Sequence, residues 1–74
     1  MPKLPVISGK DFVKVLEKLG FRVERQTGSH IVLRRASDAM SVSVPNHGEL
    51  SKGVLNTLMK SIDLGREELL KLLR

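Results

Sequence analysis

Phe21-Arg22-Val23-Glu24-Arg25-Gln26-Thr27-Gly28-Ser29-His30-Ile31-Val32-Leu33-Arg34 carries two strand patterns on either side of a glycine turn. Residues 21–25 alternate apolar and polar, the signature of a half-buried strand. Gln26-Thr27-Gly28-Ser29 supplies the turn, with Gly28 free to take a positive φ. Residues 30–34 form a second, more continuously apolar strand. Pairing centred on Thr27-Gly28 predicts His30 opposite Arg25, Val32 opposite Val23 and Arg34 opposite Phe21. Phe21, Val23 and Val32 then share one face with His30 at its rim. Ile31 and Leu33 face the other way, which calls for a bulge or for a partner over that face.

Upstream of the hairpin, Ser8 and Asp11 have the spacing of a capping box. Phe12, Val15, Leu16 and Leu19 follow at i, i+3, i+4 and i+7, which predicts a helix over 9–19 with Lys10, Lys14, Glu17 and Lys18 on its other face. Gly20 stands where a helix end needs a left-handed residue. Downstream of the hairpin, Met40-Ser41-Val42-Ser43-Val44 alternates cleanly, and Pro45 ends that strand because it offers no amide to a ladder. A loop containing His47 leads to Ser51, which caps a second helix over 52–62 with Leu55, Leu58, Met59 and Ile62 as its stripe. Gly53 in its first turn leaves room for an approach to the exposed amides there. Asp63-Leu64-Gly65 interrupts the pattern, and a short last helix carries Leu69, Leu70, Leu72 and Leu73, more apolar surface than one small core usually needs. The order is α-β-β-β-α with a terminal helix, a two-layer α+β fold.

The chain has 74 residues, enough for a single domain over 1–74. It has no cysteine, so neither a disulfide nor a thiolate metal site is available, in keeping with a reducing cytoplasm. Two histidines without a carboxylate cluster make a poor metal site, so neither metal nor cofactor is expected. No apolar run approaches the ~20 residues of a membrane span, and the opening residues do not reach the length of a signal peptide. A soluble cytoplasmic protein is expected, with no membrane partner. The net charge of +5 is unevenly placed: residues 1–37 hold eight Lys/Arg against three acids, and 38–74 hold five against five. A positive field over the first half attracts polyanions and weakens with salt.

His30 is the candidate catalytic group. An imidazole can take or give a proton near neutral pH, and Arg25, Arg34 and Arg35 surround it in sequence with fixed positive charge, a setting that suits a phosphodiester. The plainer alternative, a solvated or capping histidine at a strand start, stands beside it. Gly28 and Ser29 offer close backbone approach and an amide donor. Lys10 and Lys14 are a solvated helix face or a secondary RNA contact. His47 is more simply structural or substrate-orienting, an auxiliary group at most.

In order and spacing the chain resembles the HicA family, also described as YcfA-like. The residues that carry this are Ser8-Gly9-Lys10-Asp11, Leu19-Gly20-Phe21, Arg25-Gln26-x-Gly28-Ser29-His30, Val44-Pro45-x-His47, Leu50-x-x-Gly53-x-Leu55 and Leu64-x-x-Glu67-Glu68. The resemblance implies a double-stranded-RNA-binding-domain-like fold and an endoribonuclease toxin cleaving mRNA with His30 as its catalytic residue. It also implies a HicB-like antitoxin that covers the active site and through which an oligomer could assemble. Two positions depart from the family pattern: Ile31 stands where a second histidine often follows, and Gly65 where Ser or Thr usually opens the last helix, a loss of less than about 1 kcal/mol of capping. The competing readings are a non-catalytic RNA-binding module of the same fold and a protein-docking domain using the last two helices. A DNA-binding helix-turn-helix over 51–73 is the weakest, since that half has no net charge.

Overall fold

The structure is a computed structural model that describes residues 5–73. The opening four residues, part of the stretch read as too short for a signal peptide, and Arg74 lie outside the described residues. Among the described residues six elements follow one another: α1 (Gly9–Lys18), β1 (Phe21–Thr27), β2 (His30–Arg35), β3 (Met40–Pro45), α2 (Lys52–Ser61) and α3 (Arg66–Leu72). The strands form one antiparallel sheet in the order β1-β2-β3. This is the expected α-β-β-β-α arrangement of double-stranded-RNA-binding-domain-like folds, with a further short helix.

The helix boundaries have local causes. Ser8 Oγ accepts the Asp11 amide and the Asp11 carboxylate accepts the Ser8 amide, so the capping box forms. Gly20 takes φ +94° just beyond the helix end, a region costly to any residue with a Cβ. Ser51 Oγ accepts the Val54 amide at the start of α2. Gly65 stands at the N-cap of α3 and, having no side chain, leaves that end without a side-chain cap.

One face of the sheet packs on the helices. Phe21, Ile31, Leu33, Val42 and Val44 meet Phe12, Val15, Leu16, Leu55, Met59 and Leu69 in one core, and Phe12, Leu16, Leu33, Val44 and Leu69 have no exposed surface. Burying such a side chain is worth roughly 1.5–3 kcal/mol. Leu72 and Leu73 pack half-buried against the same core, so the crowded leucines of α3 serve largely to close it.

The hairpin register differs from the sequence expectation. His30 lies opposite Thr27, Val32 opposite Arg25 and Leu33 opposite Val23, with a bulge at Glu24. β1 therefore runs to Thr27 and the turn shrinks to Gly28-Ser29. It is Ile31 and Leu33 that face the core, while Val32 is half-buried on the other side and Val23 is 47% exposed. The reason is physical. Phe21 and Arg25 are four residues apart and would share a face on a regular strand. One extra residue between them lets the aromatic go in and the guanidinium stay out.

Candidate functional site

Among the described residues, no helix covers the outer face of the sheet. The pleat places His30, Val32 and Arg34 of β2 there, with Thr27, Arg25 and Arg22 from β1 and Ser41, Ser43 and Pro45 from β3. Except for half-buried Val32 and Pro45, all of these are exposed.

His30 stands at one end of this face, immediately after the turn. Gly28 takes φ +51° and Ser29 stays at negative φ, the pattern of a type II′ hairpin turn, which requires glycine first. The turn is anchored from outside. The Asn46 amide donates to the Ser29 carbonyl at 2.6 Å, and the Gly9 amide donates to the His47 carbonyl at 2.8 Å. The loop after β3 thus ties the histidine turn to the start of α1. Gly9 is required at that tie, because a Cβ there would stand 2.1 Å from the Pro45 carbonyl oxygen.

On the imidazole itself, Nδ1 lies 3.3 Å from Ser29 Oγ. When Nδ1 carries the proton and donates it to Ser29, Nε2 keeps its lone pair as an acceptor. A shallow recess beside His30 is lined by Ser43, Pro45, Gly53, Val54, Thr57 and Leu58, so the first two turns of α2 form its far wall. Gly53 borders this recess at the start of α2. Ser43 and Thr57 were not legible as site residues. The alternation of β3 marked Ser43 as solvent-facing, but nothing in the chain linked Thr57 to His30.

The three sequence-flanking arginines part ways. Arg25 is His30's diagonal neighbour across the hairpin, at a Cα spacing of about 7–8 Å for such pairs. Arg34 shares the face but lies four residues along the strand, about 13 Å away at ~3.3 Å per residue. Arg35 points to the helix side. Its guanidinium makes two bonds to the Asp38 carboxylate, at 3.1 and 2.8 Å, and sits 4.6 Å over the Phe21 ring. The Arg35 guanidinium and then the Met40 amide hold the Asp38 carboxyl below the usual carboxylate range. The structure thus brings Arg25 to His30 and takes Arg35 away from it. Sequence reasoning missed Arg22, which lies opposite Arg34 on the open face.

His47 occupies a different recess, with Ser8, Lys10, Asn46 and Gly48. Its backbone does the structural work described above, and the residue is exposed. Lys14 lies one turn further along α1, exposed. Among the described residues no three His, Cys, Asp or Glu side chains gather as metal ligands, and no helix is long and apolar enough to cross a membrane.

No curated protein matches the chain at a significant level. Residues 9–64 match the family described as HicA toxin of bacterial toxin-antitoxin, a stretch running from the helix tied to the histidine turn to the break after α2. The chain belongs to the HicA toxin family of bacterial toxin–antitoxin systems.

Proposed function

We propose that this toxin is an endoribonuclease acting on mRNA, with His30 as the general base. RNA brings its own nucleophile, the ribose 2′-OH. Nε2 of His30 takes that proton as the oxygen attacks the adjacent phosphorus, the P–O5′ bond breaks, and the departing 5′ oxygen takes a proton from water. The products are a 2′,3′-cyclic phosphate and a 5′-OH. General-base assistance of this kind is worth ~10²–10⁴ in rate. Ser29 fixes the tautomer from the Nδ1 side, and Arg25 offers paired donors to the phosphoryl oxygens as charge builds there. Gly28 keeps the turn open to close approach by the backbone of the substrate. Lys10 and Lys14 contribute secondary phosphate contacts along α1, with His47 as an orienting group beside them, whereas the bonding of Arg35 leaves it a structural role.

The observation that carries this reading is the position of His30, exposed at the end of an open sheet face, with one ring nitrogen near a serine hydroxyl and an arginine as its diagonal neighbour. Membership of the family implies an antitoxin partner in general. We take it to be HicB-like, closing the recess between His30 and α2, with any oligomer built through it.

The test is incubation of the purified chain with an unstructured RNA in EDTA, followed by analysis of the new 3′ ends. Cleavage leaving cyclic phosphate is expected. Binding without cleavage would reduce the chain to an RNA-binding module.

A further inference from the structure

Most of the open sheet face lies beyond the reach of His30, and its charge pattern calls for an occupant. Arg22 and Arg34 sit opposite each other in register, and Arg25 lies one step nearer the histidine. Among the described residues of the strands, Glu24 is the only acid. Glu24 follows Arg22 by two residues, and the bulge is what brings Arg25 onto the same face beside them. The Glu24 carboxylate stands 3.4 Å from Arg25 and 3.7 Å from Arg34, with every partner well exposed. Ion pairs of this length and exposure contribute little to stability, so the cluster does not hold the fold together. It gathers guanidiniums around one anion position instead. The same residues, Arg22, Glu24 and Arg34, line a shallow recess with Val23 and Ala36.

We infer that this face is the track for the RNA chain on one side of the cleaved bond, with Arg22, Arg25 and Arg34 taking its phosphates in place of the Glu24 carboxylate. The inference rests on the ribonuclease reading and adds to it where the strand runs. Three properties support it. The face is continuous with His30 along β2. Apart from half-buried Val32 and Pro45, its side chains are basic and small-polar, which suits a phosphate backbone better than a protein core. Guanidinium forks match phosphate oxygens bidentately, whereas they hold Glu24 here only loosely. Glu24 then acts as a competing anion that substrate must displace.

The experiment uses the full chain carrying His30→Ala, so that RNA is bound and not consumed, with polyuridylate as the probe across a salt series. Arg22→Ala with Arg34→Ala is compared with Lys60→Ala plus Lys71→Ala, which removes the same charge from exposed positions on α2 and α3. All four sites are exposed, and circular dichroism checks the folds. The arginine pair is expected to weaken binding and to flatten the slope of log K against log salt by about 1.4, ~0.7 for each phosphate of a single strand that goes without its cation. The lysine pair should leave the slope unchanged, and Glu24→Gln should tighten binding. An unchanged slope in the arginine pair, or an equal fall in both pairs, overturns the track while native cleavage of RNA leaves the ribonuclease reading standing. If the native chain neither binds nor cuts RNA, that reading fails and the track fails with it.

Discussion

The two ends of β2 carry a cationic or titratable side chain each, and they are built in opposite ways. At one end Arg35 is held by two bonds to Asp38, a carbonyl of Leu19, the sulfur of Met40 and the face of Phe21. At the other end His30 has Ser29 as its side-chain neighbour and an open recess beyond it. A group enclosed by partners has its bonding capacity used within the fold. A group given a fixed turn and one orienting hydroxyl keeps a nitrogen for something that arrives. The contrast separates a cation that holds the structure from a side chain that the structure holds out.

The largest effect expected at the His30 end comes from the substrate. An RNA carrying 2′-deoxyribose at the cleaved position should resist cutting altogether while binding with similar affinity, measured by gel assay and by anisotropy. Cutting at the deoxy position would mean that some nucleophile other than the 2′-OH is used. Next comes the tie between the two regions. Gly9→Ala places a methyl on the Pro45 carbonyl and should cost about 1–3 kcal/mol of stability, as overpacking generally does. Because Asn46 follows Pro45 and holds Ser29, the same variant should also cut RNA more slowly than its folded fraction accounts for. Native cleavage per folded molecule would show that the His30 turn stands without the tie.

At the Arg35 end the expected effect is on pH dependence. The Asp38 carboxyl is held below its ordinary value by Arg35 and Met40, so its contribution is complete above the unfolded pKa of about 3.9. That contribution is lost as pH falls through the lower folded value. Asp38→Asn should therefore lower the melting temperature at neutral pH and narrow its gap to the native chain in acid. A constant gap across that range would show that the ion pair does not stabilise this end. The smallest effect belongs to Ser29→Ala, which should slow cleavage only a few-fold, since the turn keeps its backbone bond to Asn46 and loses only the hydroxyl that orients the ring.

How far the sequence foretold this contrast depends on the kind of signal. The capping box, the helix stripes and the alternation of β3 were legible because each is local, with partners within four residues. The hairpin register was not, because a bulge is set by what must be buried. Phe21 needed the core and Arg25 did not, and the alternation Phe-Arg-Val-Glu-Arg conceals the extra residue that satisfies both. The same limit hid the difference among the arginines. Arg34 and Arg35 are adjacent in sequence and therefore face opposite sides of the sheet, and only the position of Asp38 and Phe21 decides what becomes of Arg35. That His30 is exposed was legible from a glycine turn followed by a polar residue at a strand start, but its face was not: the expected register set it at the rim of Phe21's face, and it lies on the opposite one. Thr57 was beyond reach, since its place beside His30 depends on how α2 packs along the edge of the sheet.

The most direct test measures cleavage and thermal stability together on His30→Ala and Arg35→Ala, each beside the native chain. A clean crossing is expected: His30→Ala melts like the native protein and loses at least ~10²-fold in cleavage rate, while Arg35→Ala melts earlier and, kept below its transition, cuts at close to the native rate. Native-rate cleavage by His30→Ala would contradict the division of roles between the two ends of β2.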